Sequence, residues 1–380
     1  MKITGSLLKL ISVPLLLLLL SCTKDSGTDG SGNNPWDPNA MHGVWITTTA
    51  SPVLDTKTAI VDAVDACKKA GLNNIFVVVY NSARTIYPSE VMGRIVGVKQ
   101  MERFAGRDPL KELIDAAKAK GIKVHAWFEY GFAASYGSQG GPIIAAKPNW
   151  KAIDQSGKLV SKNGFEWLNA FDPEVQQFML DLFKEVITKY AVDGVQGDDR
   201  LPALPSTGGY DPYTVALYKQ ENNGAEPPVD YKEANWVTWR VKKLNGFMKR
   251  LYTEVKALKP SVQVTMAPSP YPFGKDEYLQ DWPTWVDSSW VDAVIPQCYR
   301  YDITAYTALV SQQRVFYRND KIPLYPGVLL KIANYTATPG LLTSMIQANR
   351  NATFKGEVFF FYEGLPERIT WFTDQYQTIQ

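Results

Sequence analysis

Eight short apolar runs recur along the chain and predict β-strands. They are rich in Val, Ile and Phe, the composition expected of parallel strands that are buried on both faces. Amphipathic segments separate them, so the pattern alternates between the periods typical of strands and of helices. The runs are Gly43–Thr47, Asn74–Val79, Lys123–Phe128, Gly194–Gln196, Gln263–Ala267, Ala293–Gln297, Leu324–Val328 and Gly356–Phe361.

The segments between these runs have the periodicity and the end signals of helices. Thr58–Ala70 is followed by Gly71, a residue typical of helix C-caps. Pro109–Lys120 begins with a proline, which suits the first helical turn. From Val237 to Leu258, apolar residues at alternating steps of four and three form one stripe of a long helix. Further helices are predicted at Pro173–Tyr190, after the N-cap candidate Asp172, and at Leu341–Asn351.

Strand and helix alternate along almost the whole chain, which predicts an α/β fold with a single (β/α)8 TIM barrel over residues 41–380. The alternative is a doubly wound open sheet. Such a sheet usually carries a glycine-rich nucleotide loop, and no GxGxxG or P-loop pattern follows a predicted strand. The intervals between strand starts are longest after strands 3 and 4, so long and functional loops are predicted there.

The N-terminus predicts export and attachment to a membrane. Residues 1–21 have a basic start and an apolar run, 10–20, that is too short for a comfortable transmembrane span, as in a signal peptide. The sequence LLSC ending at Cys22 resembles the bacterial lipobox, in which the cysteine is lipidated. A plain signal peptide with a chance cysteine is the alternative. Residues 22–40 are predicted to be the lipidated cysteine and a flexible tether, because 23–34 lack large apolar side chains.

Charge and cysteine content narrow the range of partners. The chain has 40 Lys and Arg against 38 Asp and Glu, and removal of two lysines with the signal peptide leaves 38 against 38. A nucleic-acid binder normally has a basic excess, so no nucleic-acid partner is predicted. Cys67 and Cys298 lie in apolar patterns and are predicted to be buried thiols, with a disulfide as the less favoured alternative.

Four carboxyl side chains follow predicted strands: Glu129, Asp198, Asp199 and Glu363. Residues just beyond the C-terminal ends of barrel strands face the active-site mouth, so these groups are expected to converge. The alternative for the aspartates is a pair of surface acids in a turn. The alternative for Glu129 is a salt bridge inside the mouth.

Convergent carboxyls are what glycoside hydrolysis requires. We assign Asp198 as nucleophile or base and Glu129, next to apolar side chains that can raise its pKa, as acid. Glu363 is the other candidate acid. Asp199 is expected to orient Asp198 or to hold a sugar hydroxyl. The other predicted substrate-binding residues are Arg200, Trp127, Tyr80, Arg84, Gln297, Tyr299, Lys331 and Tyr362.

The two long loops are rich in aromatic residues, whose faces suit sugar rings. The alternative is that these residues pack the loops together. They are Trp150, Trp167, Tyr210, Tyr213, Tyr218, Tyr231 and Trp236.

Metal and serine-nucleophile chemistries are weakly supported. The chain has only two histidines, His42 and His125, and no HExxH, CxxC or GxSxG motif. This weighs against zinc peptidases, metal-dependent deacetylases and serine hydrolases. No metal and no cofactor is predicted, although Asp198 and Asp199 leave a calcium site as a weak alternative.

Six segments together resemble the bacterial glycosyl-hydrolase-like family 10 of envelope proteins, which is distinct from the xylanases that share its number. They are MHGVWITT, NNIFVVVYNSARTIYPS, HAWFEYGF, YAVDGVQGDDRLPALPS, PQCYRY and GEVFFFYEGL. The resemblance implies a TIM barrel and hydrolysis of glycosidic bonds. It also implies cell-wall glycan as a substrate class, notably peptidoglycan strands stripped of stem peptides.

The segment DGVQGDD also resembles the fourth-strand motif of the α-amylase superfamily. That resemblance implies a nucleophile at Asp198. The acid of that superfamily is a Glu after the fifth strand, where this chain has TMAPSP, so Glu129 and Glu363 both stay open as the acid. The sequence therefore predicts a glycoside hydrolase anchored in the cell envelope. A carbohydrate-binding lipoprotein without turnover and a scaffold of the wall machinery are the alternatives.

Overall fold

The computed structural model describes residue 37 and residues 39–376. The described residues belong to one compact unit. The predicted signal peptide, the lipidation site Cys22 and most of the predicted tether lie outside the described residues. Among the described residues, no helix combines the length and the apolar character needed to cross a bilayer.

Eight parallel strands form one curled sheet, in the order β6-β5-β4-β3-β2-β1-β8-β7. The prediction of an α/β fold built on eight parallel strands is confirmed. Side chains within the strands are almost all buried, because residues fill the inside of the curl and helices cover the outside. The strands are β1 (His42–Ile46), β2 (Asn74–Val78), β3 (Lys123–Phe128), β4 (Gly194–Gly197), β5 (Gln263–Met266), β6 (Ala293–Val294), β7 (Gly327–Leu329) and β8 (Glu357–Phe360).

The two outer strands of this order approach each other. Val294 of β6 forms a parallel bridge with Leu324, just before β7, and accepts a hydrogen bond from the Tyr325 amide at 3.0 Å. Strand β6 is shorter than predicted, since Pro296 has no amide hydrogen to continue the ladder.

Helices lie between the strands, and several of them begin at residues that cap them. The predicted cap Asp172 accepts a hydrogen bond from the Glu174 amide at 2.7 Å. Within the described residues the α-helices are α1 (Lys57–Lys69), α2 (Glu90–Val96), α3 (Pro109–Ala119), α4 (Gly141–Ala146), α5 (Pro173–Lys189), α6 (Pro212–Glu221), α7 (Ala234–Leu258), α8 (Phe273–Tyr278), α9 (Trp282–Asp287), α10 (Ile303–Phe316), α11 (Pro339–Asn351) and α12 (Ile369–Tyr376).

Small antiparallel elements follow three of the strands. After β2, Tyr80–Asn81 pairs with Arg84–Thr85 in a tight hairpin, here called the β2 hairpin. After β3, the strands Ala133–Tyr136, Ser161–Lys162 and Phe165–Trp167 form a three-stranded sheet. After β7, Lys331–Ile332 pairs with Tyr335–Thr336. Cys67 and Cys298 are buried and free, as predicted.

A buried ionic cluster joins the N-terminal ends of β1 and β8. Glu357 is fully buried and contacts His42 at 3.1 Å, Arg350 at 2.8 Å and the Tyr376 hydroxyl at 2.7 Å. The His42 ring also contacts the Asp37 carbonyl at 2.9 Å. Burial raises the pKa of Glu357, but Arg350 and His42 outweigh it and hold the pKa at about 2.

Replacing Glu357 by Gln is expected to destabilise the protein by about 3 kcal/mol at pH 7, because Arg350 and His42 would lose the buried negative charge with which they interact. Because the pKa of Glu357 is lower in the folded protein than its ordinary value of 4.5, its ionisation stabilises the fold fully at pH values above 4.5. This stabilisation is lost as pH falls towards about 2. The difference in the free energy of unfolding between wild type and variant should therefore decrease as pH falls from 4.5 towards about 2. Urea denaturation at pH 7, 4.5 and 3.5 measures it.

The matched control is Glu90→Gln, which removes an exposed ion pair with Lys99. Its effect on the free energy of unfolding should be much smaller than that of Glu357→Gln, as for other surface ion pairs. A Glu357→Gln gap that is the same at pH 7 and pH 3.5 would contradict the role assigned to its charge.

Candidate active site

Asp198 follows directly on the end of β4 and is buried, with 2% of its surface exposed. Its Oδ2 accepts a hydrogen bond from Arg200 Nη2 at 2.8 Å, and its Oδ1 accepts one from Gln297 Nε2 at 2.6 Å. The preceding residue, Gly197, lies so close to β5 that a Cβ there would be 2.5 Å from the Met266 sulfur. Close strand packing and two N–H donors thus fix the carboxylate of Asp198.

The pKa of Asp198 lies well above its ordinary value. Burial is the main cause, because it penalises the charged form, and the nearby carboxylates of Asp199 and Glu129 raise the pKa further. Arg200 opposes them. A carboxylate of raised pKa is a stronger base, which suits a group that takes up a proton or attacks carbon.

Arg200 connects the segments that follow β3 and β4. Besides its bond to Asp198, its Nη1 lies 3.0 Å from Asp199 Oδ1, and its Nε donates to the Glu129 carbonyl at 3.0 Å. The guanidinium carbon lies 4.5 Å from the centre of the Phe165 ring, in the three-stranded sheet after β3. The arginine therefore holds the two predicted catalytic segments in a fixed relation.

Glu129 follows directly on the end of β3 and is half-buried. Its Oε2 accepts hydrogen bonds from Asn81 Nδ2 at 2.5 Å and Thr47 Oγ1 at 3.5 Å. In the part of the chain that the structure describes, no hydrogen bond involves Oε1. Burial raises the pKa of Glu129, whereas Arg200 and Asn81 lower it and Asp199 raises it. A raised pKa and one uncommitted oxygen are the properties of a general acid.

Glu363 has different surroundings. It lies in the turn Tyr362–Gly364 after β8, and its Oε1 accepts a hydrogen bond from Ser51 Oγ at 2.7 Å. Across residues 39–376, no hydrogen bond or ion pair joins it to Asp198 or Glu129. The structure thus brings Glu129 together with Asp198 and places Glu363 beside the segment after β1.

Two more predicted substrate-binding residues lie beside Asp198. Gln297 donates to it, and the half-buried Tyr299 stacks on Phe360 with ring centres 5.1 Å apart. The pKa of Tyr299 is raised by burial and by the charge of Asp198. Trp127 is buried inside the curled sheet, with its ring centre 6.4 Å from that of Trp45. It therefore packs underneath the site as part of the core.

The structure does not bring three predicted residues to this site. Tyr80 is fully buried against Phe178 of α5, because it alternates with Asn81 and points to the other face of its strand. Tyr362 is also buried. Lys331 forms an ion pair with Glu367. Arg84 lies in the β2 hairpin, half-buried.

Several residues of the site did not stand out in the sequence. Asn81 and Thr47 bind Glu129, and the Gln280 amide donates to the Asp198 carbonyl at 3.1 Å. The only available signal was that Asn81 and Thr47 are polar and come just after apolar strands. Of the loop aromatics, Trp150, Trp167, Tyr218 and Trp236 are buried and pack the loops, whereas Tyr213 is exposed.

Within the residues described, no group of three or more His, Cys, Asp or Glu side chains is placed to hold one ion.

Comparison with known proteins gives relatives of one kind. The profile of the family described as glycosyl hydrolase-like 10 matches residues 40–343. Glycosyl hydrolase DigH of Escherichia coli K12 is 25% identical over 354 residues, covering 78% of this chain and 77% of DigH. Glycosyl hydrolase YngK of Bacillus subtilis is 23% identical over 320 residues, covering 77% of this chain and 59% of YngK.

Two solved structures share the fold. The glycoside hydrolase domain of PgaB (BpsB) from Bordetella bronchiseptica has a TM-score of 0.67 at 12% identity, covering 90% of this chain and 99% of that domain. The catalytic domain of β-amylase from Paenibacillus polymyxa has a TM-score of 0.64 at 10% identity, covering 88% and 98%. At these identities the likeness concerns the fold alone.

Proposed function

The chain belongs to the glycosyl hydrolase-like 10 family, and from that premise we propose that it hydrolyses glycosidic bonds of a polysaccharide with Asp198 and Glu129 as catalytic carboxyls. The observation that carries the proposal is the pairing of these two groups. They follow adjacent strands, both have raised pKa values, and Arg200 bonds to both residues.

In this proposal Glu129 is the general acid and Asp198 the nucleophile or base. Glu129 would donate a proton from Oε1 to the leaving glycosidic oxygen, since Oε2 is held by Asn81. Asp198 would attack the anomeric carbon or activate a water molecule from the other side of the sugar. Arg200, bonded to both segments, would stabilise Asp198 once it is ionised.

The proposed substrate is a wall glycan, with peptidoglycan strands as the first choice. Three exposed aromatic side chains on the segments that follow β3, β5 and β6 support a sugar polymer: Tyr136 is 61% exposed, Phe273 53% and Tyr301 62%. Aromatic rings of this kind offer apolar faces to sugar rings. Lipidation at Cys22, also part of the proposal, would hold the enzyme in the envelope close to such a polymer.

We extend the proposal to the fold and its loops. The bridge between Val294 and Leu324 supports a closed (β/α)8 barrel. The three-stranded sheet after β3 would then form one wall of the substrate cleft, because its Phe165 lies against Arg200.

The proposed activity is tested with the purified full chain and purified wall glycan. We expect new reducing ends to appear with time, because hydrolysis of each glycosidic bond releases one. Glycan that is bound but not cleaved would contradict hydrolysis and favour a carbohydrate-binding lipoprotein. Neither binding nor cleavage would favour a scaffold protein.

A further inference from the structure

Two connections between helices and strands are basic, and both lie on the side of the sheet where the strands begin. One runs from the end of α1 to the start of β2, residues 68–74, and the other from the end of α3 to the start of β3, residues 118–123. Neither connection contains an acidic residue. They contain five lysines, all exposed and here called the basic face: Lys68, Lys69, Lys118, Lys120 and Lys123.

The two connections lie side by side. They lead into adjacent strands, since β2 pairs with β3 along the register that begins at Lys123. An ion pair between Lys120 and Asp65 joins the second connection to α1. Lys118 and Lys123 line one cavity of about 370 Å³, together with Asp193. The lysines are therefore grouped on one surface, and two acids lie among them.

Three of these lysines have no ion-pair partner in the described part of the chain, namely Lys68, Lys118 and Lys123. The helix dipole favours a cation near a helix C-terminus, which accounts in part for Lys68 and Lys118. It does not account for Lys123, which is the first residue of β3. Charges of one sign on one surface repel each other, so a partner of opposite charge would stabilise this arrangement.

The polypeptide enters the domain on the same side. The Asp37 carbonyl contacts the ring of His42 at the start of β1, and Asn39 lines a second cavity together with Lys123. Cys22, the proposed lipidation site, precedes Asp37 by 15 residues. A chain of that length spans at most about 50 Å when fully extended. Lipidation at Cys22 would therefore keep the basic face close to a bilayer.

We propose that the basic face docks on the anionic phospholipid surface of a membrane, so that the starts of the strands lie against the lipid. Each lysine next to an anionic bilayer strengthens binding by about 5-fold, and the attraction acts within a screening length of about 10 Å. Contacts of this strength suffice when an anchor already holds the protein nearby. The inference goes beyond the proposed hydrolysis and does not depend on it.

The test uses the chain from residue 22 onwards with Cys22→Ala, so that neither the predicted signal peptide nor a lipid contributes. Sedimentation measures binding to vesicles of phosphatidylcholine and to vesicles of phosphatidylcholine and phosphatidylglycerol in equal parts. We expect binding to the mixed vesicles at about 0.1 M salt and its loss at about 1 M salt, where the screening length is about 3 Å. Combining Lys68→Gln, Lys118→Gln and Lys123→Gln should weaken binding by about 100-fold.

The matched control removes the same charge from outside the basic face, by combining Lys99→Gln, Lys111→Gln and Lys219→Gln, and should bind nearly as tightly as the wild type. No binding to the mixed vesicles, equal binding to both kinds of vesicle, or an equal loss in the two triple variants would overturn the proposal. Binding to soluble polyphosphate without binding to the mixed vesicles would also overturn it and would assign the face to a polyanionic polymer. Each of these outcomes is independent of glycan cleavage.

Discussion

Replacing Asp198 by Asn is expected to lower the rate of glycan hydrolysis by about 1,000-fold or more, the loss typical of removing a nucleophile or base. The amide keeps the size of the side chain but cannot attack carbon or accept a proton at neutral pH. Arg200 donates to one carboxylate oxygen and Gln297 to the other, so the amide keeps one of these two hydrogen bonds through its remaining oxygen. The measurement is the release of reducing ends by the purified full chain.

Two further aspartate variants make this result interpretable. Asp115→Asn makes the same change on the exposed face of α3 and should keep full activity. Asp199→Asn removes the second partner of Arg200 and should cost less than Asp198→Asn. A larger loss at Asp199 would reverse the assigned roles. Full activity in Asp198→Asn would refute the proposed mechanism.

Replacing Glu129 by Gln is expected to lower the rate about 100- to 10,000-fold, the range for loss of a general acid. The loss should be smallest on aryl glycosides, whose leaving groups need little protonation. In the wild type, the acid must be protonated, and the pKa of Glu129 is raised. Activity should therefore fall as pH rises through that raised pKa, and Glu129→Gln should lack this fall. A pH–rate profile of kcat/KM measures both effects.

A substitution at Asn81 should shift the pH at which activity falls on the alkaline side. Its hydrogen bond favours the ionised form of Glu129 and lowers the pKa, so Asn81→Ala should move the fall to higher pH. Because Asp198 and Glu129 interact, the two limbs of the profile belong to the pair. An unchanged profile in Asn81→Ala, or an equal loss on aryl glycosides in Glu129→Gln, would exclude Glu129 as the acid and direct attention to Glu363.

The apolar runs and the signals at helix ends were enough to predict the sheet from the sequence. Runs such as Asn74–Val79 and Lys123–Phe128 coincide with β2 and β3 to within a residue, because strands buried on both faces have few polar positions. The family resemblance is confirmed by the match over residues 40–343. Asp198 and Glu129 could be assigned to one site because parallel strands end at the same edge of the sheet.

The details of the site depended on side-chain direction and on pairings between distant segments. Tyr80 and Asn81 are neighbours in sequence, yet the pleat turns Tyr80 towards α5 and Asn81 towards Glu129. Lys331 forms an ion pair with Glu367, which lies in a different segment, and no local sequence pattern predicts that these two segments meet. Glu363 resembled Glu129 in the sequence, since both come soon after strands, and their different partners became visible only in the folded structure.

The contact between the Asp37 carbonyl and the His42 ring determines where the polypeptide enters the domain. That entry lies at the beginning of β1, whereas Asp198 and Glu129 lie beyond the ends of β4 and β3, on the opposite face. In the lipid-anchored form proposed above, the preceding segment would join the domain on the face opposite Asp198 and Glu129. Attachment at that end would leave the proposed catalytic carboxyls directed away from the attached segment and accessible to a polymer.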